Sequence, residues 1–309
     1  MKLSSPIAVA DIAALINAEI IGNANAMVLG INEIHKVQVG DLTFVDHPKY
    51  YDKALQSAAT FVIINQRMDA PEGKTLFFHS DPFEAYVSLV KRFRPFEPAT
   101  QNIAPSASIG EGTHIQPNVF IGNNVKIGKG CLIHANVAIY DHCEIGDHVI
   151  IQSGCIIGGD AFYFKKRTSP HTFYDKLESC GRVIIEDFVE LGAACTIDKG
   201  VSGDTIIGWG SKLDNQVHVG HGTVIGKNCL IAAQTGIAGK TKLEDNVILW
   251  GQVGVNKDLV IGEGAVVLGQ SGVTKSIEGG KSYFGTPAQE SKSKLKEMAI
   301  LKRFAERKD

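Results

Sequence analysis

The sequence predicts a mainly β protein: a parallel β-helix built from six-residue repeats, with a small α/β domain before it and a helix after it. Three observations predict this. Every sixth residue is aliphatic through most of residues 101–287, which is the mark of a hexapeptide solenoid. Residues 1–100 lack that period and mix helical with strand-like patterns. Residues 288–309 carry Leu295, Met298, Leu301 and Phe304 at helical spacing.

In the first segment, Ala8 to Ile20 has apolar residues at helical spacing, with Asn23 near its expected end. Short β-like runs, LTFV and TFVII, follow, and a second helical stretch covers Pro82 to Phe93. Pro95 and Pro98 mark a linker. The opening run MKLSSPIAVADIAALI holds one Lys, and Asp11 breaks its apolar stretch. It fits neither a secretory signal nor a transmembrane segment, so a cytoplasmic protein is expected. A net charge of −2 over 309 residues carries no polyanion-binding signature, and no nucleic acid partner is expected.

In the repeat, isoleucine occupies every sixth position from Ile103 to Ile157. The register breaks at Gly158-Gly159 and resumes at Ile185, Leu191 and Ile197. Four extra residues precede Ile207, and every sixth residue is then aliphatic through Val273. Each hexad should form one flat side of a triangular coil with its aliphatic residue inward. The residue after it, often Gly, should let the corner turn. Two residues before each aliphatic, a small side chain must also fit inside. Cys131, Cys143, Cys155, Cys195 and Cys229 occupy that position, so they read as buried spacers, not as disulfides or metal ligands. The insertion 159–182 leaves the coil and carries aromatics beside Lys165, Lys166 and Arg167. A loop that protrudes from a rigid solenoid suits a binding function or a clasp on another subunit.

The hexad register resembles the hexapeptide-repeat acyltransferase superfamily, whose members are left-handed β-helices and usually trimers. The resemblance implies a left-handed parallel β-helix and a homotrimer with sites between subunits. Three stretches resemble more narrowly the UDP-3-O-(3-hydroxyacyl)glucosamine N-acyltransferase family of lipid A biosynthesis. They are LDNQVHVGHGTVIGKNCLIAAQTGIAG at 213–239, GRVIIEDFVELGAACTIDKG at 181–200 and FVDHPKY at 44–50. That family transfers a 3-hydroxyacyl chain from acyl carrier protein, on its phosphopantetheine thiol, to the 2-amine of a UDP-3-O-acyl-glucosamine. No other cofactor and no metal are implied.

By this resemblance His221 is the general base, a task that suits imidazole because it titrates near working pH. A coil is three hexads, so the residue stacked on His221 is Gly239. The family gives this glycine's N–H the role of holding the oxyanion. Asp214 corresponds to the carboxylate that supports the histidine. Asn215, Gln216 and His218 share the block as substrate contacts. Phe44 and Tyr50 match aromatic positions that hold uracil, making residues 1–100 a uridine-binding domain. His47 stands where asparagine is usual, and Asp258 where a histidine is usual; both are kept as substrate-binding positions.

Other readings of the same residues are a sugar-nucleotide N-acyltransferase using acetyl-coenzyme A, and a non-catalytic sugar-nucleotide-binding paralogue. A third is a zinc enzyme of the β-helix carbonic anhydrase kind, with His218, His221 and one of His114, His134, His142 or His148 as ligands. Lys292, Lys294, Lys296, Lys302, Arg303, Arg307 and Lys308 make the C-terminal helix basic. That composition suits a landing surface for an acidic carrier protein.

Overall fold

The computed structural model describes residues 1–306; Arg307 and Lys308 of the basic segment lie outside the described residues. The chain divides into two compact units.

The first unit comprises Met1–Pro98, Phe162–Gly181 and Val201–Gly203. Its centre is a six-stranded mixed sheet of β1 (Lys2–Ala8), β2 (Glu19–Ile21), β3 (Met27–Ile31), β4 (Asp41–Val45), β5 (Phe61–Ile64) and β6 (Thr75–Phe78), in the order β1-β3-β4-β5-β6-β2. Strands β3 to β6 run parallel, and β1 and β2 close the two edges antiparallel. The run TFVII becomes β5, and all four residues of that strand are buried. Such a continuous apolar run is what a parallel strand covered on both faces requires. Helix α1 covers Val9–Ile16, shorter than the apolar spacing suggests. Asn17 adopts the left-handed conformation (φ 51°) and ends it. The freed segment Glu19–Ile21 then pairs with β6. Helix α2 is short (Tyr51–Leu55), and α3 spans Pro82–Phe93. The Asp81 side chain caps α3 by accepting from the Glu84 N–H (3.3 Å), with Pro82 at its first position.

The insertion does not stand as a separate loop on the coil. Phe164–Arg167 and Phe173–Lys176 pair as an antiparallel hairpin, and residues 162–181 belong to the first unit. So do residues 201–203, part of the four-residue break before Ile207. There the Ser202 hydroxyl accepts from the Glu33 N–H at 2.7 Å, and the Ser202 carbonyl accepts from the N-terminal ammonium at 2.8 Å.

The second unit is the left-handed parallel β-helix with the C-terminal helix. Its two-residue strands stack into three parallel sheets, one per flat side. The first side carries Ile127, Ile145 and Ile185, the second Ile133, Ile151 and Leu191, and the third Ile139, Ile157 and Ile197. Successive coils pair eighteen residues apart, as Lys126 with Glu144. From Ile121 to Val273 every in-register aliphatic is buried in one continuous core. The five spacer cysteines lie in that core, and all six cysteines are buried. Burial pushes the Cys143 thiol up to about 12, so it remains neutral.

The glycines after the aliphatics do not turn the corners. The turning residues sit two positions later, at left-handed φ, and include Asn124, Asn136, Gln216 and Gln234. The earlier glycines allow coils to approach. A Cβ on Gly208 would lie 2.5 Å from the Gly226 carbonyl oxygen of the next coil. The last coil is closed by Gln289–Glu290, antiparallel to Ser282–Phe284, before α4 (Ser291–Glu306). This pairing blunts an edge that would otherwise remain open.

Ile237 is fully buried between coils. Ile237→Ala should therefore lower stability by about 2–5 kcal/mol, the usual effect of removing a large core aliphatic. Exposed Lys242→Ala should stay within about 0.5 kcal/mol. Urea midpoints of the two variants measure the contrast.

Candidate active site

The corner between the third and first sides gathers three of the residues singled out in the sequence. His218–Val219 pairs with Gly236–Ile237, and Ile237 with Val255. Two residues beyond each strand this register stacks His221, Gly239 and Lys257. The Lys240 N–H donates to the His221 carbonyl at 2.8 Å, and the Asp258 N–H to the Gly239 carbonyl at 3.2 Å. His221, Gly239 and Asp258 therefore share one corner in three successive coils. His221 is half-buried, and its Nδ1 is shielded from solvent. Its ring lies against Gly239: a Cβ there would come within 2.7 Å of His221 Nε2 and 3.0 Å of its carbonyl oxygen. Gly220 is as constrained, since a Cβ there would lie 2.7 Å from the Gly239 nitrogen.

The Gly239 N–H is placed differently from its equivalents at three other corners. At Asn123, Lys129 and Lys227 the corresponding N–H donates to Asp141, Asp147 and Asp245, each eighteen residues on, at 2.7 to 2.8 Å. The residue in that place above Gly239 is Lys257, whose ammonium can only donate.

Asp214, Asn215 and Gln216 occupy a different corner, between the second and third sides. Asp214 is exposed there, and its Oδ1 accepts from the Asn215 N–H at 2.7 Å. Within one chain the structure does not bring Asp214 to His221; the strand His218–Val219 lies between their corners. A seven-residue separation crosses one whole side of the coil. Any pairing of these two groups must come from another subunit. Asn215 Oδ1 accepts from the Ala193 N–H at 2.7 Å. Gln216 starts a ladder of side-chain amides: Gln234, Gln252 and Gln270 each donate to the glutamine one coil before, at 2.9, 2.7 and 2.9 Å.

His218 faces outward from the third side. Its Nδ1 is 2.8 Å from Thr196 Oγ1, and its Nε2 is 3.9 Å from Asp198 Oδ2. Burial raises the Asp198 carboxyl above the ordinary range; His218 opposes that shift and Asp160 adds to it. Nothing in the hexad pattern marks Thr196 or Asp198, because strand residues that face outward carry no periodic signal. Among the described residues, no group of three or more His, Cys, Asp or Glu side chains is placed to hold a metal ion, and no helix is long and apolar enough to cross a membrane.

The F-V-D-H-P-K-Y segment lies in the first unit. Phe44, next to last in β4, is half-buried, its ring centroid 4.7 Å from Tyr86 and 6.0 Å from Phe83. His47 and Tyr50 are exposed, with their rings 6.0 Å apart. His47 Nδ1 caps the short turn Pro48–Tyr50 by accepting from the Lys49 N–H at 3.2 Å. Asp46 and Asp81 receive Lys165 and Arg167 from the insertion. Burial alone would raise the Asp81 carboxyl. The Arg167 hydrogen bond, the Glu84 N–H and the two cationic charges outweigh it and hold the group below the ordinary range. A depressed carboxyl adds stability above its unfolded pKa. That stability is lost as pH falls through the folded value.

A family model for the bacterial transferase hexapeptide (six repeats) matches residues 204–239, and one for a GMPPB C-terminal domain matches residues 99–163. LpxA, a UDP-N-acetylglucosamine acyltransferase from Bacteroides fragilis, superposes with TM-score 0.55 at 28% identity, over 63% of this chain and 73% of that one. The UDP-N-acetylglucosamine acyltransferase from Campylobacter jejuni shares the fold, with TM-score 0.53 at 22% identity over 61% and 71%. The class is thus a hexapeptide-repeat acyltransferase.

The family model for UDP-3-O-(3-hydroxymyristoyl) glucosamine N-acyltransferase, LpxD, matches residues 25–92 of the first unit. The UDP-3-O-acylglucosamine N-acyltransferase of Christiangramia forsetii is 41% identical over 237 residues, covering 68% of this chain and 69% of that protein. Its counterpart in Bacteroides thetaiotaomicron is 40% identical over 238 residues, 68% of each chain. The chain belongs to the UDP-3-O-acylglucosamine N-acyltransferase family.

Gly239→Ala tests the corner directly. The added methyl must displace the His221 ring, and misplacement by about 1 Å lowers turnover by about 100-fold. Acyl transfer should fall by about 10- to 100-fold while the circular dichroism spectrum stays native.

Proposed function

We propose that the chain transfers a 3-hydroxyacyl group from acyl carrier protein to the 2-amine of a UDP-3-O-acyl-glucosamine, a step of lipid A biosynthesis, with His221 as general base. The observation that carries this reading is the stacking of His221 on Gly239, whose N–H faces no carboxylate from the next coil. Acyl transfer to an amine needs both a proton acceptor and a donor for the developing oxyanion, and this corner offers both on rigid backbone. Neutral imidazole takes the proton as the amine attacks the thioester carbonyl. The Gly239 N–H donates to the tetrahedral oxygen. Collapse expels the phosphopantetheine thiolate, which takes the proton back from the imidazolium as the amide forms. No cofactor beyond the donor thioester takes part.

Asp214 acts in this scheme from a neighbouring subunit of a homotrimer, a mass that light scattering reads directly. Phe44 and Tyr50 hold the uracil, with His47 beside them. Asn215, Gln216, His218 and Asp258 remain the other substrate-facing positions, and Lys257-Asp258 stands where the sugar phosphates or donor arm would pass. The compartment, on this reading, is the cytoplasm.

His221→Ala should lower kcat by about two to four orders of magnitude, the usual contribution of a general base. Wild-type turnover in that variant would exclude the mechanism.

The carrier protein docks, on this proposal, at α4. Lys292, Lys294, Lys296, Lys302 and Arg303 lie on a helix whose Leu295, Met298, Leu301 and Phe304 are also exposed. Charge reversal at Lys302 and Arg303 should weaken use of acyl carrier protein, and wild-type activity should fall as salt rises. Transfer from a small acyl thioester should survive the reversal. Equal use of both donors by mutant and wild type would assign the helix no part in docking.

A further inference from the structure

The hairpin 162–181 alternates. Lys165 and Arg167 point inward and are half-buried, whereas Phe164 and Lys166 are exposed. The Lys165 ammonium donates to Asp46 and lies 3.7 Å from Asp81. Arg167 donates to Asp81 at 2.5 Å and to Asp175 at 3.1 and 3.2 Å. Both cations also sit over the Phe83 ring, 5.1 and 5.3 Å from its centroid. Phe83 in turn packs edge-on against Phe44. Asp46 is the third residue of F-V-D-H-P-K-Y, between Phe44 and His47. Its backbone carbonyl accepts from Asn65 at 3.3 Å, and Asn65 accepts from the Tyr51 hydroxyl at 2.6 Å. The segment proposed to hold uracil is thus held from both sides, and one of those holds comes from a hairpin more than a hundred residues away.

We infer that Lys165 is a positioning residue for nucleotide binding: through Asp46 it fixes the Phe44–Tyr50 segment in the shape that receives the base. This rests on the reading that Phe44 and Tyr50 hold uracil. A direct role for Lys165 and Arg167 on the diphosphate is the competing use of the same cations. The geometry disfavours it, because Asp46, Asp81 and Asp175 already surround them. Two cations among three carboxylates leave no net positive charge to attract an anion. Partly buried charge pairs of this kind couple more strongly than exposed surface pairs.

The test is NMR titration of the full chain with uridine and with UDP, for wild type, Phe44→Ala, Lys165→Gln, Lys165→Arg and Asp46→Asn. Lys165→Gln and Asp46→Asn should each weaken uridine and UDP by the same factor, about 5- to 20-fold. Lys165→Arg should restore most of the loss, and in turnover the Lys165→Gln effect should fall on KM more than on kcat. Having both Lys165→Gln and Asp46→Asn guards against either failing to fold. If Phe44→Ala loses uridine while Lys165→Gln and Asp46→Asn bind it as wild type does, the positioning role is overturned and the uracil reading stands. A loss confined to UDP would overturn it in favour of a phosphate contact. Unchanged uridine binding in Phe44→Ala would remove the uracil reading, and the inference with it.

Discussion

Close approach of successive coils is the constraint on which the catalytic body depends. Parallel strands pair about 4.8 Å apart, and here that spacing must hold through every corner as well as along every flat side. Glycine after the inward aliphatic makes this possible, because a Cβ at Gly208 or Gly220 would meet the backbone of the next coil. At Gly220, His221 and Gly239 two such close contacts coincide with a histidine. The same close approach lays the imidazole against the place that a Gly239 side chain would take. At Asn123, Lys129 and Lys227 the N–H corresponding to that of Gly239 is given to an aspartate; this one faces Lys257.

The solenoid was legible because its signal repeats. An inward aliphatic at every sixth position states its own burial, and the strand register reproduces the eighteen-residue stacking of Gly239 on His221. The role of glycine in the hexad was read less well. Composition shows that glycine is frequent after the aliphatic but not whether it supplies an unusual φ or a missing Cβ. The turning falls to residues two positions later, some of them glycine and others Asn, Gln, His, Lys240 or Asp258, whose side chains disguise a left-handed backbone. Helix α1 was overestimated for a similar reason: apolar spacing continues into Glu19–Ile21, and pairing with β6 overrides it.

The candidate site was legible where a motif stacks and obscure where it spreads. His221, Gly239 and Asp258 fall on one corner. Asp214, seven residues away, looks close in sequence and is a full side of the coil distant. Gln216, grouped with substrate contacts by its place in the block, begins an amide ladder instead of standing alone. Phe44 turned out partly structural, packed on Tyr86 and Phe83. The role of the insertion could not be read at all, because its partners Asp46 and Asp81 lie far upstream and an ion pair leaves no periodic trace. Only the alternation of Lys165 and Arg167 with exposed neighbours hints at a face that seeks counter-charges.

These threads meet in one claim, that this β-helix acylates the amine of a sugar nucleotide already acylated on oxygen. The most direct measurement is mass spectrometry of the product formed by the purified chain from UDP-3-O-acyl-glucosamine and a panel of 3-hydroxyacyl carrier proteins. The account predicts a product heavier by one 3-hydroxyacyl group, from which mild base removes only the 3-O-acyl group that the substrate brought and leaves the new acyl group as an amide, with one carrier thiol released for each product formed. No transfer from any carrier protein, or loss of the newly added acyl group together with the 3-O-acyl group in mild base, would contradict it.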